Sequence, residues 1–391
     1  MTPAAAAIRR GVADRGGTLV EVSHRIHARP ELAWQERFAS RLLQEVLADN
    51  GFEVTTGVAG LDTAFTARAG AGELVLTFCA EYDALAGIGH ACGHNIIAAS
   101  SLGAALILAD LAADLGVTVQ LIGTPAEESG GGKITLLEAG VFDDTDAAMM
   151  VHPGVVDLIE MPTLAVRHLE VAYTGRAAHA SAYPERGISA ADAMTVAQTA
   201  IGLARQFLSP TSRVHGVVLQ AGEAPNVIAA DARARYILRG ADLAELSEVG
   251  RRIEDCFSAG AVATGCRLNI TEPDPIYREL ATDPVLAQAY RGAAREVGRE
   301  ARTASARAAR AAGSTDMGNV SQRVSALHPM IGIGKDHGVP HQPQFAAGAV
   351  SAAGDRAVLD GATMLALTAA TVAADPESRR QLQARGAARR A

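Results

Sequence analysis

Histidine, cysteine and glutamate gather at four separate points of this 391-residue chain. His90-Ala91-Cys92-Gly93-His94 follows Glu81-Tyr82-Asp83 within one short loop, and Glu127-Glu128 follows Thr124-Pro125-Ala126. His152 precedes Pro153, and His337 and His341 stand in the last third. Thiolate, imidazole and carboxylate are ligands of zinc-like ions, whose catalytic sites keep one position open for water. Such an ion brings the pKa of a water down to about 7, which provides a nucleophile at neutral pH. Adjacent glutamates suit a division of labour. Successive side chains at a strand end diverge, so one carboxylate can bind the ion while its neighbour faces the water as general base.

Taken singly, each piece has an ordinary explanation. Cys92 and His94 fit a buried core pair, because free cysteine packs as a small hydrophobe. Paired glutamates are commonly a solvated face, and His152 can simply end a strand. Position is what sets them apart. Glu73 to Ala80 (ELVLTFCA), Val117 to Gly123 (VTVQLIG), Ala147 to Val151 (AAMMV) and His328 to Ile333 (HPMIGI) are short apolar runs that suit buried strands. Helical patterns separate them: Gly17 to Asn50, broken at Pro30 and closed by Gly51-Phe52, then Asn95 to Leu115 and Lys133 to Glu138. Strands alternating with helices imply an α/β fold, a mostly parallel central sheet with helices on both faces. Ligands bind outside the carboxyl ends of such strands, and each candidate group follows one.

The middle third changes character. Alternating strands at Arg167 to Thr174, Arg213 to Ala221, Ala230 to Arg239 and Arg267 to Thr271 enclose helices at Ser189 to Leu208 and Ala241 to Ala259. That order, β-α-β-β-α-β, is ferredoxin-like. The economical architecture is a catalytic α/β domain in two parts, residues 1–165 and 278–391, interrupted by an inserted α+β domain at 166–277. The Arg-rich tail from Asp375 reads as a solvated helix or a disordered end.

Other chemistries fit less well. No G-x-S-x-G nucleophile elbow occurs. Gly130-Gly131-Gly132-Lys133 has Ile134 where a phosphate loop needs Ser or Thr, so these glycines read as a flexible turn. A net charge of −8 argues against a general nucleic-acid binder. Only Lys133 and Lys335 of the 35 basic residues are lysine, a bias assigned to genome composition. The apolar run Ile96 to Ala109 is too short to cross a bilayer. The polar N-terminus and four cysteines (Cys79, Cys92, Cys256, Cys266) suggest neither a signal peptide nor a disulfide framework. The expectation is a cytoplasmic protein with no membrane partner.

Several longer stretches resemble the metal-dependent aminoacylase, carboxypeptidase and amidohydrolase peptidases, most of all the amidohydrolases similar to the B-type chain of p-aminobenzoyl-glutamate hydrolase. They are HARPEL from His27, EYDALAGIGHACGHN from Glu81, GTPAEESGGGK from Gly123, His152-Pro153, GRAAHAS from Gly175, APNVI from Ala224, GSTDMGNVS from Gly313 and HQPQFAAGA from His341. The resemblance implies that Cys92, His94, Glu128, His152 and His341 hold one or two divalent ions (zinc, manganese, cobalt or nickel), with Cys92 able to bridge them. His337 competes for the last place, but HQPQF fits the pattern at His341. Glu127 would be the general base, and Asp83 would orient a ligand. The inserted domain would form a homodimer and carry His179 into the partner's site to stabilise an oxyanion, with Asn226 helping to hold the substrate. Asn95 departs from the common C-G-H-D pattern of the branch, and Glu81 stands where its carboxypeptidase members have a histidine ligand. Arg239 suits a substrate carboxylate, but an arginine ending a strand is more often a surface charge, and it is left out of the site.

The resulting expectation is a metal-dependent amidohydrolase that cleaves small N-acyl amino acids or dipeptides by metal-activated water and a glutamate base. Its partners would be a small-molecule amide substrate and a second copy of the chain. An aminohydrolase removing the amine of an aromatic ring uses the same parts. A non-enzymatic binding protein on the same fold has no need of the base, Glu127.

Overall fold

The computed structural model describes residues 2–304 and 313–390. Within it the apolar runs of the first third lie at the centre of a six-stranded sheet. Its order is Glu53–Thr56, Phe65–Ala69, Val117–Gly123, Leu74–Ala80, Ala147–Met149 and Ser325–Leu327. The last three pairings are parallel and the first two antiparallel. The sequence pattern gives no sign of the antiparallel edge pair, because Glu53–Thr56 is short and largely exposed.

Alternate residues of the central strands face opposite ways, as the two-residue period of a strand requires. Leu74, Leu76 and Phe78 join Val117, Val119, Leu121, Ala147 and Met149 against one set of helices. That set includes Pro3–His27, His94–Ala109, Pro284–Glu296 and Ala352–Ala374. Cys79, Ile122, Ala148 and Met150 face the other way, against Leu136 of Gly132–Glu138 and Met317 and Val320 of Met317–Arg323. Helices therefore cover both faces. The parallel register sets Ala80 beside Gly123 and Phe78 beside Met149, so these strands end along one edge.

This sheet belongs to one of two compact units, built from Met1–Pro162 and most of the chain after Leu280. The other is Thr163–Glu279 with a short segment ending at Ser314. Its four antiparallel strands run in the order Arg267–Thr271, Ala165–Thr174, Asp231–Gly240, Arg213–Ala221. Ala232, Ala234, Tyr236 and Leu238 turn inward against Ala190–Ala204 and Leu243–Thr264, a ferredoxin-like arrangement inserted in the α/β fold.

Several local expectations change. The first helix starts at Pro3, capped by Thr2, rather than at Gly17. The Asn95 to Leu115 helix breaks after Ala109 and resumes at Ala112–Leu115. His328 to Ile333 is not one strand: Ser325–Leu327 joins the main sheet, and Met330–Gly332 pairs with His152–Gly154 beyond Pro329. A proline lacks the N–H a continuous ladder needs, and Pro329 falls at the break between Leu327 and Met330, whereas Pro153 lies within the short strand His152–Gly154, opposite Ile331. The Arg-rich tail is the helix Pro376–Arg390, tied down by buried Leu382 and by Arg379 donating to the Leu115 and Gly116 carbonyls. Ala352–Ala374 is the one helix among the described residues long and apolar enough to cross a membrane, yet 78% of its apolar window is buried in the core.

Candidate metal centre

Glu81 and Asp83 come directly after Leu74–Ala80, Glu127 and Glu128 after Val117–Gly123, and His152 after Ala147–Met149. Cys92 and His94 stand at the start of His94–Ala109. Gly93 caps that helix with φ 77°, and a Cβ there would sit 2.5 Å from Pro153 Cγ. Glycine alone tolerates both demands.

The side chains form two triads that share a sulfur. Ligand atoms of Cys92, His94 and His152 lie within 4.8 Å of one another, and so do those of Cys92, Glu128 and His341. Cys92 Sγ is 3.5 Å from His152 Nε2, and Glu128 Oε2 is 3.5 Å from His341 Nε2. His337 instead lies against Gly348 and Ser351. His341 adopts φ 68°, and its N–H donates to the Ala91 carbonyl at 2.8 Å, which ties its backbone to the Cys92 loop.

Hydrogen bonds fix which imidazole nitrogens face inward. His94 Nδ1 bonds to Asp83 Oδ1 at 2.9 Å and His152 Nδ1 to the Pro153 carbonyl at 2.8 Å, leaving each Nε2 on the donor cluster. Asp83 does a second job, its Oδ2 accepting the Glu128 N–H at 2.9 Å. His94 Nε2 and Glu128 Oε1 are buried without hydrogen-bond partners, and a cation between them would satisfy both. The electrostatics agree. Burial alone would lower the His94 imidazole, but Asp83 lifts it well above its usual range, so this point already favours positive charge. Burial and the Glu128 carboxylate push the Cys92 thiol up, and a bound cation would reverse that. Burial, then Glu81 and Glu128, raise the Glu127 carboxyl well above normal. A carboxyl so placed suits a proton carrier.

Glu81, His94 and Glu127 form a third cluster of potential ligand atoms, but a lysine holds Glu81. The Lys133 ammonium is 2.5 Å from Glu81 Oε1 and 2.7 Å from Asp316 Oδ1, all three fully buried. Burial would lower this amine, yet Asp316 and Glu81 raise it above its ordinary value. Lys133 lies in a helix, as its pattern indicated, with its ammonium locked inside, and that helix, Gly132–Glu138, already takes in the last of the glycines expected to form a turn. Sequence reasoning also passes over His328. It is fully buried with its ring 5.6 Å from that of His152.

His179 and Asn226 lie in the inserted unit, where both are exposed. They sit side by side: His179 bridges Val227, and the Ala180 N–H donates to the Asn226 carbonyl at 3.0 Å. Arg239 is not a plain surface charge. It is half-buried and donates to Ser314 Oγ at 2.6 Å, with no carboxylate ion-paired to it among the described residues. Burial accordingly lowers its pKa.

Soft and hard donors around a glutamate, at the edge of an α/β sheet, define a metallohydrolase. Residues 61–370 match the model of peptidase family M20/M25/M40. The chain is 38% identical to the Xaa-Arg dipeptidase of Mus musculus, over 93% of this chain and 87% of that one. It is 31% identical to the B-type chain of the p-aminobenzoyl-glutamate hydrolase of Escherichia coli (strain K12), over 62% of this chain and 55% of the relative. A solved Bacillus subtilis structure, described as a dinuclear metal binding peptidase from the M20 family, superposes with a TM-score of 0.72 at 22% identity, covering 92% of this chain and 99% of that one. The chain belongs to peptidase family M20/M25/M40. It is a hydrolase of amide bonds, metal-dependent and acting on small N-acyl amino acids or dipeptides. The aromatic aminohydrolase reading is not favoured.

Proposed function

We propose that the chain is a dipeptidase for substrates with a basic C-terminal residue. Relatives named Xaa-Arg dipeptidase match across nearly the whole chain, whereas the match to the aminobenzoyl-glutamate hydrolase covers less of it. The observation that carries the chemistry is the pair of donor triads sharing Cys92.

In this reading Cys92, His94, His152, Glu128 and His341 hold one or two divalent ions. Zinc, manganese, cobalt and nickel all suit mixed N, O and S donors. A cation there would act as a Lewis acid, polarising the scissile carbonyl and acidifying a water. Glu127 takes the proton of the attacking water and passes it to the departing amine. Asp83 holds His94 in its tautomer and fixes the Glu128 backbone. His179 donates to the carbonyl oxygen as charge develops on it, and Asn226 helps to orient the substrate. The domain boundaries 1–165, 166–277 and 278–391, the homodimer through the inserted domain and a cytoplasmic location belong to the same proposal.

One panel tests it. Dipeptides, acyl-amino acids and p-aminobenzoyl-glutamate are offered to the enzyme stripped of metal, then reloaded. Activity should vanish and return with metal and be highest on Xaa-Arg dipeptides. Glu127→Gln should keep its metal and lose at least about 100-fold in kcat, the usual contribution of a general base. A Glu127→Gln variant that still turns over overturns the base assignment.

A further inference from the structure

Glu36 is a carboxylate that this chemistry leaves unused, and it lies at the back of the glutamate loop. It is fully buried. Its oxygens are taken by a backbone and a hydroxyl rather than by a cation: Oε1 accepts the Ala126 N–H at 2.8 Å and Oε2 the Thr63 hydroxyl at 3.1 Å. Placing an acid there is unfavourable for the fold, which raises the question of what it holds.

It holds a strained turn. Ala126 is buried with φ 59°, a left-handed conformation disfavoured for any residue with a Cβ. Glu127 and Glu128 follow immediately. The N–H groups on either side of Glu127 are both gripped by buried carboxylates from elsewhere in the chain, that of Ala126 by Glu36 and that of Glu128 by Asp83 at 2.9 Å. The Ala126 carbonyl accepts the Gly131 N–H at 3.1 Å, closing the loop on itself. Trp34, two residues before Glu36, packs its indole on Gly130, where a Cβ would meet the ring at 2.6 Å. The segment from Trp34 to Glu36 therefore braces the loop from beneath. Leaving it, Glu128 reaches His341 at 3.5 Å, and Glu127 points its Oε2 to within 3.9 Å of His94 Nε2.

We propose that Glu36 is a positioning residue for amide hydrolysis: by accepting the Ala126 N–H it enforces the left-handed turn that directs Glu127 and Glu128 to their separate tasks. The proposal rests on the assignment of Glu127 as base and Glu128 as ligand. Without the acceptor, Ala126 relaxes toward negative φ and both following side chains swing away.

The test uses the full-length metal-loaded enzyme with an Xaa-Arg dipeptide, measuring kcat, KM and metal content together. Glu36→Ala should lower kcat by about 100-fold, the order of loss a 1 Å misplacement brings, with KM changed less than about threefold. Glu36→Gln keeps an oxygen for the Ala126 N–H and should recover to within about fivefold of the parent. Ala126→Gly takes the same turn without strain, so adding it to Glu36→Ala should reduce the loss to roughly tenfold. If Glu36→Ala does not fold, Glu36→Met fills the space without accepting a hydrogen bond and replaces it. A kcat for Glu36→Ala or Glu36→Met within about threefold of the parent overturns the proposal, as does a Glu36→Gln no better than Glu36→Ala. Glu127→Gln measured alongside separates the two readings. An active Glu127→Gln sinks the base assignment; an inactive one with unimpaired Glu36→Ala sinks the positioning role alone.

Discussion

Burial pushes the Glu36 carboxyl from its ordinary 4.5 up to about 7. Because the folded value lies above the unfolded one, its contribution to stability is complete below about pH 4.5 and is lost as pH rises through about 7. At 1.36 kcal/mol per unit, the ionised group costs the fold up to roughly 3 kcal/mol by about pH 8. Glu36→Gln keeps the shape and the acceptor without the charge. Urea titrations should find it more stable than the parent at about pH 8, with the difference shrinking toward about pH 5. Equal midpoints at the higher pH would mean Glu36 is not ionised there. At this same scale, the donor residues were legible in the sequence because their types are rare and chemically specific. Lys133 and Glu36 were not, because a buried charge and a surface charge look alike in a linear chain. The one available signal was that Lys133 is one of only two lysines among the 35 basic residues.

The elements deliver the donors by ending where they do. Three parallel strands finish along one edge, and Gly93 starts a buried helix at the same edge, so Cys92 and His94 face the residues that follow Gly123 and Met149. Gly93→Ala tests how tightly this is set. A Cβ would force φ 77° on an unsuited residue and press on Pro153, next to His152. Denaturant unfolding should show a loss of about 1–3 kcal/mol, and calorimetric metal binding should weaken because His94 and His152 are displaced together. Unchanged metal affinity would mean that the helix start does not set the cluster. The order of strands and helices was readable from apolar runs and their periods. The breaks after Met149 and at Pro329 were harder to read: an apolar stretch hides where one ladder stops and a second begins.

For the whole molecule, the inserted unit carries Leu203 and Phe207 on one helical stretch and Val217 and Leu219 on its edge strand, all more than half exposed. An open strand edge beside apolar side chains is a surface that proteins usually cover, in keeping with the proposed homodimer. If His179 of one protomer serves the site of the other, inactive Glu127→Gln and His179→Ala chains should complement on mixing. Random reassociation gives hybrids with one intact site of two, hence about a quarter of wild-type activity. Mixtures that stay inactive after verified exchange would place His179 in its own chain's site or outside catalysis.

Residue types and their placement after apolar runs determined the chemistry: a metal-dependent hydrolase needs donors and a base, and a chain can show these as letters. Alternating periods likewise determined a mixed α/β sheet with a ferredoxin-like insertion. Which atoms meet was decided only by the tertiary structure. It set His341 rather than His337 beside Glu128, gave Glu81 to Lys133, and put Glu36 under Ala126, some ninety residues away. Spacing along the chain constrains such contacts weakly, because they depend on strand register, helix entry and backbone torsions that exist only once the core has closed.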